Sequence, residues 1–284
     1  MERLNNPDLG LDLSSSLLQQ KNPQIMGVLN VTPDSFSDGG HFNQVDKAIS
    51  QAQSMIDAGA SIIDVGGEST RPNAAPVSVD EELARVIPVI RGIRENANIA
   101  ISVDTSKAEV MQLAVEAGAN IINDVYALRQ PGALEMAAEL RVPVCLVHMQ
   151  AKPETMQNAP CYGNVVDEVN AFFMERLKSC EKIGIAVDSI ILDPGFGFGK
   201  TLQHNLSLLA HLRAFKAHGC PILVGLSRKS MLGELLDKKA DGRVVGSVTA
   251  ALIAVINGAS IVRVHDVAQT SDAFKIYNAV QYGI

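Results

Sequence analysis

No apolar stretch in these 284 residues approaches the roughly 18 needed to cross a membrane. Positive charge is not in excess either. Twenty-four Lys and Arg stand against 31 Asp and Glu, a formal net charge of −7. A nucleic-acid-binding face is therefore not expected, and any cation that matters must act locally. The opening Met1-Glu2-Arg3-Leu4-Asn5-Asn6-Pro7-Asp8 lacks the basic and apolar regions of a signal peptide, so a cytoplasmic protein is expected. Cysteine is sparse. Cys145, Cys161, Cys180 and Cys220 form no Cys-x-x-Cys pair and suggest neither a zinc site nor a disulfide framework. Cys145 lies in an apolar run and reads as a small core residue. No Gly-x-Gly-x-x-Gly turn follows the first apolar run, which argues against a dinucleotide fold. The paired Gly66-Gly67 lack the Walker lysine, which excludes a P-loop. His41, His204, His211 and His218 have no metal-ligand spacing.

What the chain does have is eight short apolar runs, each ending in polar residues. Ile25–Leu29 ends at Asn30. Ile62-Ile63-Asp64-Val65 leads to Gly66-Gly67-Glu68-Ser69-Thr70-Arg71. Ile99–Val103 ends at Asp104, and Ile121-Ile122 at Asn123-Asp124. Val144–Val147 ends at His148, and Ile190–Leu192 at Asp193. Ile222–Leu226 leads to Ser227-Arg228-Lys229-Ser230, and Ile261-Val262 to Arg263-Val264-His265-Asp266. Buried parallel strands read as short continuous apolar runs. Between them lie helical periodicities over 45–58, 81–93 (with Pro88 as an expected kink), 108–117, 133–140, 165–183, 202–215, 244–256 and 268–280. A weak repeat, Asp57–Ile63, Glu116–Ile122 and Asn257–Val262, reads each time as helix end, tight turn and buried strand. Eight strand–helix units predict a single α/β domain, a (β/α)8 TIM barrel over 24–284, preceded by an N-terminal extension over 1–23.

The active site of such a barrel lies at the C-terminal ends of its strands. Asp104, Asn123 and Asp193 fall there. Each could instead cap the next helix, although Asp193 precedes Pro194-Gly195-Phe196-Gly197-Phe198-Gly199, which is no helix start. Two carboxylates and an amide suit a flat heterocycle rich in N–H donors, such as a pterin or guanine. Lys229, Arg263 and His265 follow strands seven and eight, where such barrels frequently bind phosphate, and Arg263 and His265 share a strand face. The loop Asn30-Val31-Thr32-Pro33-Asp34-Ser35-Phe36-Ser37-Asp38-Gly39-Gly40 has the make-up of a lid. The Gly66–Pro72 loop offers glycines and an arginine to an anion. His148, next to Met149, reads as a satisfied core histidine.

The chain resembles the dihydropteroate synthases. The matching stretches are Gly27–Gly40, Gly59–Pro72, Ser102–Ser106, Ile121–Val125, Leu192–Asn205, Gly225–Gly233 and Arg263–Val267. They include the long strings Asn-Val-Thr-Pro-Asp-Ser-Phe-Ser-Asp-Gly-Gly and Gly-Gly-Glu-Ser-Thr-Arg-Pro. Asn73, where glycine is common, and the variable Tyr126-Ala127 depart from the pattern. The resemblance implies condensation of 4-aminobenzoate with (7,8-dihydropterin-6-yl)methyl diphosphate. On it, Asp104, Asn123, Asp193 and Lys229 hold the pterin. Asn30, Thr70, Arg71, Arg263 and His265 surround the diphosphate, with Mg²⁺ on Asn30. Phe36, Thr70, Arg71, Pro72, Phe198 and Ser230 form the aminobenzoate pocket. Asp38, Asp104, Arg263 and His265 serve catalysis, by dissociative substitution. The family usually dimerises through late helices, and 244–256 is apolar enough to take part, so a homodimer with small-molecule substrates is expected. The alternatives are a pterin-binding methyltransferase acting with a corrinoid protein, and a non-catalytic pterin-binding relative.

Overall fold

The computed structural model describes residues 22–32, 41–69, 76–150, 156–157 and 159–283. Eight parallel strands alternate with helices: β1 Gln24–Asn30, α1 His41–Asp57, β2 Ile62–Gly66, α2 Val79–Asn96, β3 Ala100–Asp104, α3 Ala108–Ala117, β4 Ile121–Asp124, α4 Ala133–Leu140 and β5 Val144–Val147. Then follow α5 Val165–Lys182, β6 Ile190–Asp193, α6 Leu202–Ala210, β7 Leu223–Val224, α7 Ser230–Leu236, α8 Val244–Ile256, β8 Ile261–Val264 and α9 Val267–Tyr282. The strands hydrogen-bond in the order β6-β5-β4-β3-β2-β1-β8-β7, and a parallel bridge between Leu192 and Ile222 brings β7 back to β6. The result is a (β/α)8 barrel. Phe36, Asp38, Thr70, Arg71 and Pro72, and residues 1–21 of the extension, lie outside the described residues.

The period-two alternation of side chains along a strand explains what each run buries. Outward residues such as Ile63, Val65, Ile101, Val103, Ile122, Leu146, Leu192 and Val262 pack beneath the helices. Inward residues form a separate apolar layer: Met26, Ile62, Ala100, Ile121, Cys145, Ile191, Leu223 and Ile261. Two residues further along the strands, the inward positions turn polar: Asp64 after Ile62, Ser102 after Ala100, Asn123 after Ile121, Asp193 after Ile191 and Arg263 after Ile261. The lower interior is thus an ordinary core, and the C-terminal mouth is a buried polar ring. All eight expected helical segments are found, and α2 runs through Pro88. Two details differ. The 202–215 segment stops at Ala210 and continues as a 3-10 turn, Leu212–His218. The stretch after β7 carries an extra short helix, α7.

Local signals set the helix ends. Ser78 Oγ accepts from Glu81 N at 3.2 Å, and Asp80, Glu81 and Glu82 fill the first turn of α2, where acids favour the helix dipole. The β6–α6 connection needs its glycines: Gly195, Gly197 and Gly199 have φ of +69°, +78° and +64°. A Cβ on Gly195 would lie 1.8 Å from the carbonyl oxygen of His148. Gly195→Ala is therefore expected to lose roughly 3 kcal/mol or more in urea denaturation, from left-handed strain plus the clash. Gly184→Ala is the control. At φ +91° with nothing within 4 Å of its added Cβ, it should show only the strain, about 1 kcal/mol. Equal losses in the two variants would contradict the assignment.

Candidate active site

At the barrel mouth, Arg263 on β8 reaches past β1 to β2 and β3. Its Nε donates to Asp64 Oδ2 at 2.6 Å, and its Nη2 donates to Asp104 Oδ2 at 2.8 Å. Asp64 is fully buried in the middle of β2, where an unpaired charge would be very costly. Asn123 Nδ2 gives it two longer contacts, at 3.3 and 3.5 Å to its two oxygens. That orientation spends the amide's donor on Asp64. Among the described residues it leaves Asn123 Oδ1 buried with no hydrogen-bond partner, an acceptor whose capacity is unused. Burial raises the Asp104 carboxyl to about 7; the Arg263 guanidinium pulls it down and the Asp64 carboxylate pushes it up. Burial lowers the Arg263 guanidinium, but the Asp64 and Asp104 carboxylates more than offset this and hold it above its usual range.

Asp193 ends β6. Its Oδ1 accepts from Gly195 N at 2.7 Å. Burial raises its pKa, while Lys229 and the Gly195 N–H pull the other way. Lys229 follows β7, donates to the Phe196 carbonyl, and lies 4.4 Å from the Phe198 ring centroid. Burial lowers the Lys229 ammonium to about 8 against the pull of Asp193. One cleft is lined by Asp104, Asn123, Val125, Val147, Asp193, Phe198, Gly225, Lys229 and Arg263. The four expected pterin-holding residues are therefore together, with Arg263 and Phe198 beside them.

Of the remaining expected residues, Asn30, His265 and Ser230 fall among the described residues. Asn30 ends β1, and a Cβ on Gly66 would sit 3.9 Å from Asn30 Oδ1 and 3.4 Å from Asp104 Cβ. His265 lies one residue past β8, its Nδ1 3.0 Å from Ser227 Oγ. Ser230 is the first residue of α7 and is exposed. The segment before it is braced. Arg228, at φ +58°, donates to both Asp266 oxygens, at 3.1 and 2.5 Å. Arg243 Nη1 donates to the Arg228 carbonyl at 2.9 Å. Beside the cleft, sharing Asp104 and Val125 with it, is a hollow of about 320 Å³ that also touches Glu68, Ser69, Pro76 and Lys107. Lys107 ties Glu68 to Glu82, and Glu68 Oε1 accepts from Val77 N at 3.0 Å, which fixes both ends of the segment containing Thr70, Arg71 and Pro72.

Neither Asp104 nor Asn123 caps a helix. The N-cap of α3 is Lys107, without a side-chain cap bond, and that of α4 is Gly132. His148 is a satisfied core residue, bonded to Lys200 and edge-on to Phe172. Sequence reasoning missed Asp64, which organises the mouth. The available signal was parity: an acid two residues after the inward Ile62 has to face the barrel interior.

The pH dependence of stability tests this electrostatic account. A carboxyl raised in the folded state favours folding below its unfolded pKa of about 3.9, and that contribution is lost as pH rises through the folded value. For Asp104 the window runs from about 4 to about 7. Asp104→Asn, which cannot ionise, should gain stability relative to the parent between pH 4 and 8, read from urea midpoints. A constant difference across that range would show that Asp104 titrates normally.

The chain is similar to known proteins over most of its length. The profile of the family described as "Pterin binding enzyme" matches residues 26–265. The dihydropteroate synthase of Escherichia coli (strain K12) is 55% identical over 262 residues, covering 92% of this chain and 93% of that protein. The Haemophilus influenzae enzyme of the same name is 55% identical over 257 residues, covering 90% and 94%. Among solved structures, Yersinia pestis dihydropteroate synthase with a sulfonamide drug complex superposes with a TM-score of 0.88 at 52% identity, covering 92% of this chain and 94% of that one. The Xanthomonas albilineans dihydropteroate synthase with 4-aminobenzoic acid gives 0.88 at 50% identity, covering 92% and 94%. The same enzyme in complex with 7,8-dihydropteroate gives 0.85 at 48%, covering 92% and 95%. From its barrel, its buried polar mouth and these relatives, the chain belongs to the dihydropteroate synthase family of pterin-binding enzymes.

Proposed function

We propose that this chain joins 4-aminobenzoate to (7,8-dihydropterin-6-yl)methyl diphosphate, giving 7,8-dihydropteroate and diphosphate in folate biosynthesis. The observation that carries the reading is the cleft itself. Two carboxylates, Asp104 and Asp193, and the unpaired Asn123 Oδ1 meet one ammonium, Lys229. A pterin presents the complement. Its amino-pyrimidine edge donates N–H groups to Asp193 and Asn123, and its oxo group accepts from Lys229. A neutral apolar ligand would leave these groups unpaired.

No step needs a covalent nucleophile. The C–O bond between the pterin methylene and the diphosphate breaks, and its electron pair leaves with the diphosphate. The dihydropterin ring delocalises the resulting positive charge. The amine nitrogen of 4-aminobenzoate then forms the C–N bond and gives up one proton to solvent. Arg263 and His265, with Thr70 and Arg71, stabilise the departing diphosphate, while Asp104, Asp193 and Asp38 stabilise the cation. Such preorganised charge is usually the largest catalytic contribution. Phe36, Thr70, Arg71, Pro72, Phe198 and Ser230 make the aminobenzoate pocket. Asn30 fits a magnesium site of the kind that uses few protein ligands, because its neutral oxygen sits at the mouth beside Gly66 and Asp104. Bound there, Mg²⁺ would neutralise charge on the leaving group.

The reading includes a homodimer and a cytoplasmic location. Val245, Ile253 and Ile256 on α8 and Ile276 and Val280 on α9 are exposed, on two helices that pack against each other. Among the described residues no helix is long and apolar enough to cross a membrane. A corrinoid-linked methyltransferase would have no use for cations set against a diphosphate, and a non-catalytic relative would have no need to place them.

Purified protein should form dihydropteroate from the two substrates, followed by mass spectrometry, and should not transfer a methyl group from methyltetrahydrofolate. The reverse result would favour the corrinoid reading. Asp193→Asn replaces an acceptor with a donor and should weaken a pterin analogue by about 1.5–3 kcal/mol or more in calorimetry. Parent-like affinity would mean the pterin lies elsewhere. Arg263→Ala and His265→Ala should each lower turnover roughly 100- to 1000-fold, because their hold on the diphosphate strengthens as it leaves. Near-parent turnover in both would reduce them to structural residues.

A further inference from the structure

Lys200, which ends the glycine loop, takes no part in the mechanism above. It is only 4% exposed. Its Nζ lies 2.9 Å from His148 Nδ1, 2.9 Å from the Gly195 carbonyl and 3.0 Å from the Phe198 carbonyl, with the His148 carbonyl at 3.4 Å. An ammonium has three protons, and the three nearest acceptors take them all. Burial, then the cations Lys200 and Arg129, hold His148 far below its ordinary pKa, and the neutral ring accepts at Nδ1 in its Nε2–H tautomer.

The two carbonyls bound by Lys200 bracket the segment 195–198. Three contacts from that segment reach the pterin-holding groups. Gly195 N–H donates to Asp193 Oδ1 at 2.7 Å, the Phe196 carbonyl accepts from Lys229, and the Phe198 ring lies 4.4 Å from Lys229 Nζ. The third acceptor, His148, is tied to the same place by its backbone, whose N–H donates to the Asp193 carbonyl at 2.8 Å. We propose that Lys200 is a positioning residue for the reaction: its three hydrogen bonds hold 195–198 in the shape that aims the Asp193 carboxylate and the Lys229 ammonium into the cleft. A lysine buried among neutral partners is an expensive way to fill space, and burial draws its pKa well below the usual range although Asp193 pulls it back up. Its presence makes sense where it fixes a geometry that an apolar side chain of the same length would leave loose.

The inference rests on the pterin reading, and the test separates the two. The probe is 6-hydroxymethylpterin, which lacks the diphosphate, measured by calorimetry on the full chain. Lys200→Met, nearly the same length without a donor, should bind it about 10- to 100-fold more weakly, since small misplacements at a site cost that much. The KM for 4-aminobenzoate should rise as well, because Phe198, a residue of that pocket, belongs to the held segment. In a Lys229→Met background the same substitution should cost less than about threefold, because residues acting through one another do not lose affinity additively. A purely structural lysine would lower the melting temperature while leaving pterin affinity intact, or its loss would multiply with that of Lys229; either result overturns the proposal. If Lys200→Met does not accumulate folded, His148→Leu removes one of the three acceptors and should weaken the pterin by about threefold or more. Unchanged affinity there overturns the proposal equally. If the parent protein neither binds the pterin nor makes product, the pterin reading itself has failed.

Discussion

A fully buried carboxylate, Asp64, sits in the wall of an apolar barrel, and the rest of the mouth is arranged around its charge. Removing one partner from a buried ion pair costs about 3–5 kcal/mol, so Arg263 cannot leave without a large loss of stability. Arg263 in turn reaches Asp104, bringing β2, β3 and β8 into one network. Asn123 turns its donor nitrogen toward Asp64, and its oxygen is left buried without a partner among the described residues. The protein therefore holds its acceptors, Asp104, Asn123 and Asp193, around one cleft. A ligand with matching N–H donors completes bonds that the fold has left open.

The same arrangement explains why the mouth suits separation of charge. In the proposed reaction, anions on β3 and β6 serve the pterin, and Arg263 on β8 with His265 just after it serves the leaving diphosphate. The apolar layer beneath, Met26, Ile62, Ala100, Ile121, Cys145, Ile191, Leu223 and Ile261, keeps water out of the barrel and strengthens each interaction above it. The cost of gathering so much charge is visible in the carboxyls of Asp104 and Asp193, both raised by burial. Substrate cation and carboxylate relieve one another at the moment the C–O bond breaks.

Much of this was legible in the sequence because parallel strands buried on both faces leave an unmistakable mark: short β-branched runs that stop at a polar residue. Asp104, Asn123, Asp193, Lys229 and Arg263 were all found from that stop, and the structure brings them to one cleft. Asp64 was passed over because it lies inside a run rather than after it, where a period-two count would have placed it inward. Lys200 was hidden for a different reason. Its burial comes from His148, 52 residues earlier, and no local pattern encodes a contact at that range. The break of the 202–215 helix at Ala210 and the added α7 also escaped, since apolar spacing does not distinguish an α-helix from a 3-10 turn. Phe36, Asp38, Thr70, Arg71 and Pro72 stand on sequence alone.

The central claim is that the barrel mouth is built to let the diphosphate depart before the amine attacks. The most direct measurement uses pterin diphosphate carrying a heavy-oxygen label in the bridging position, incubated with the enzyme and Mg²⁺ in the absence of 4-aminobenzoate. Ionisation and return would move the label into non-bridging positions of recovered substrate. The account predicts such scrambling, and predicts that His265→Ala suppresses it. A label that stays in place, with no bond breaking until 4-aminobenzoate is added, would contradict a dissociative reaction and favour direct displacement.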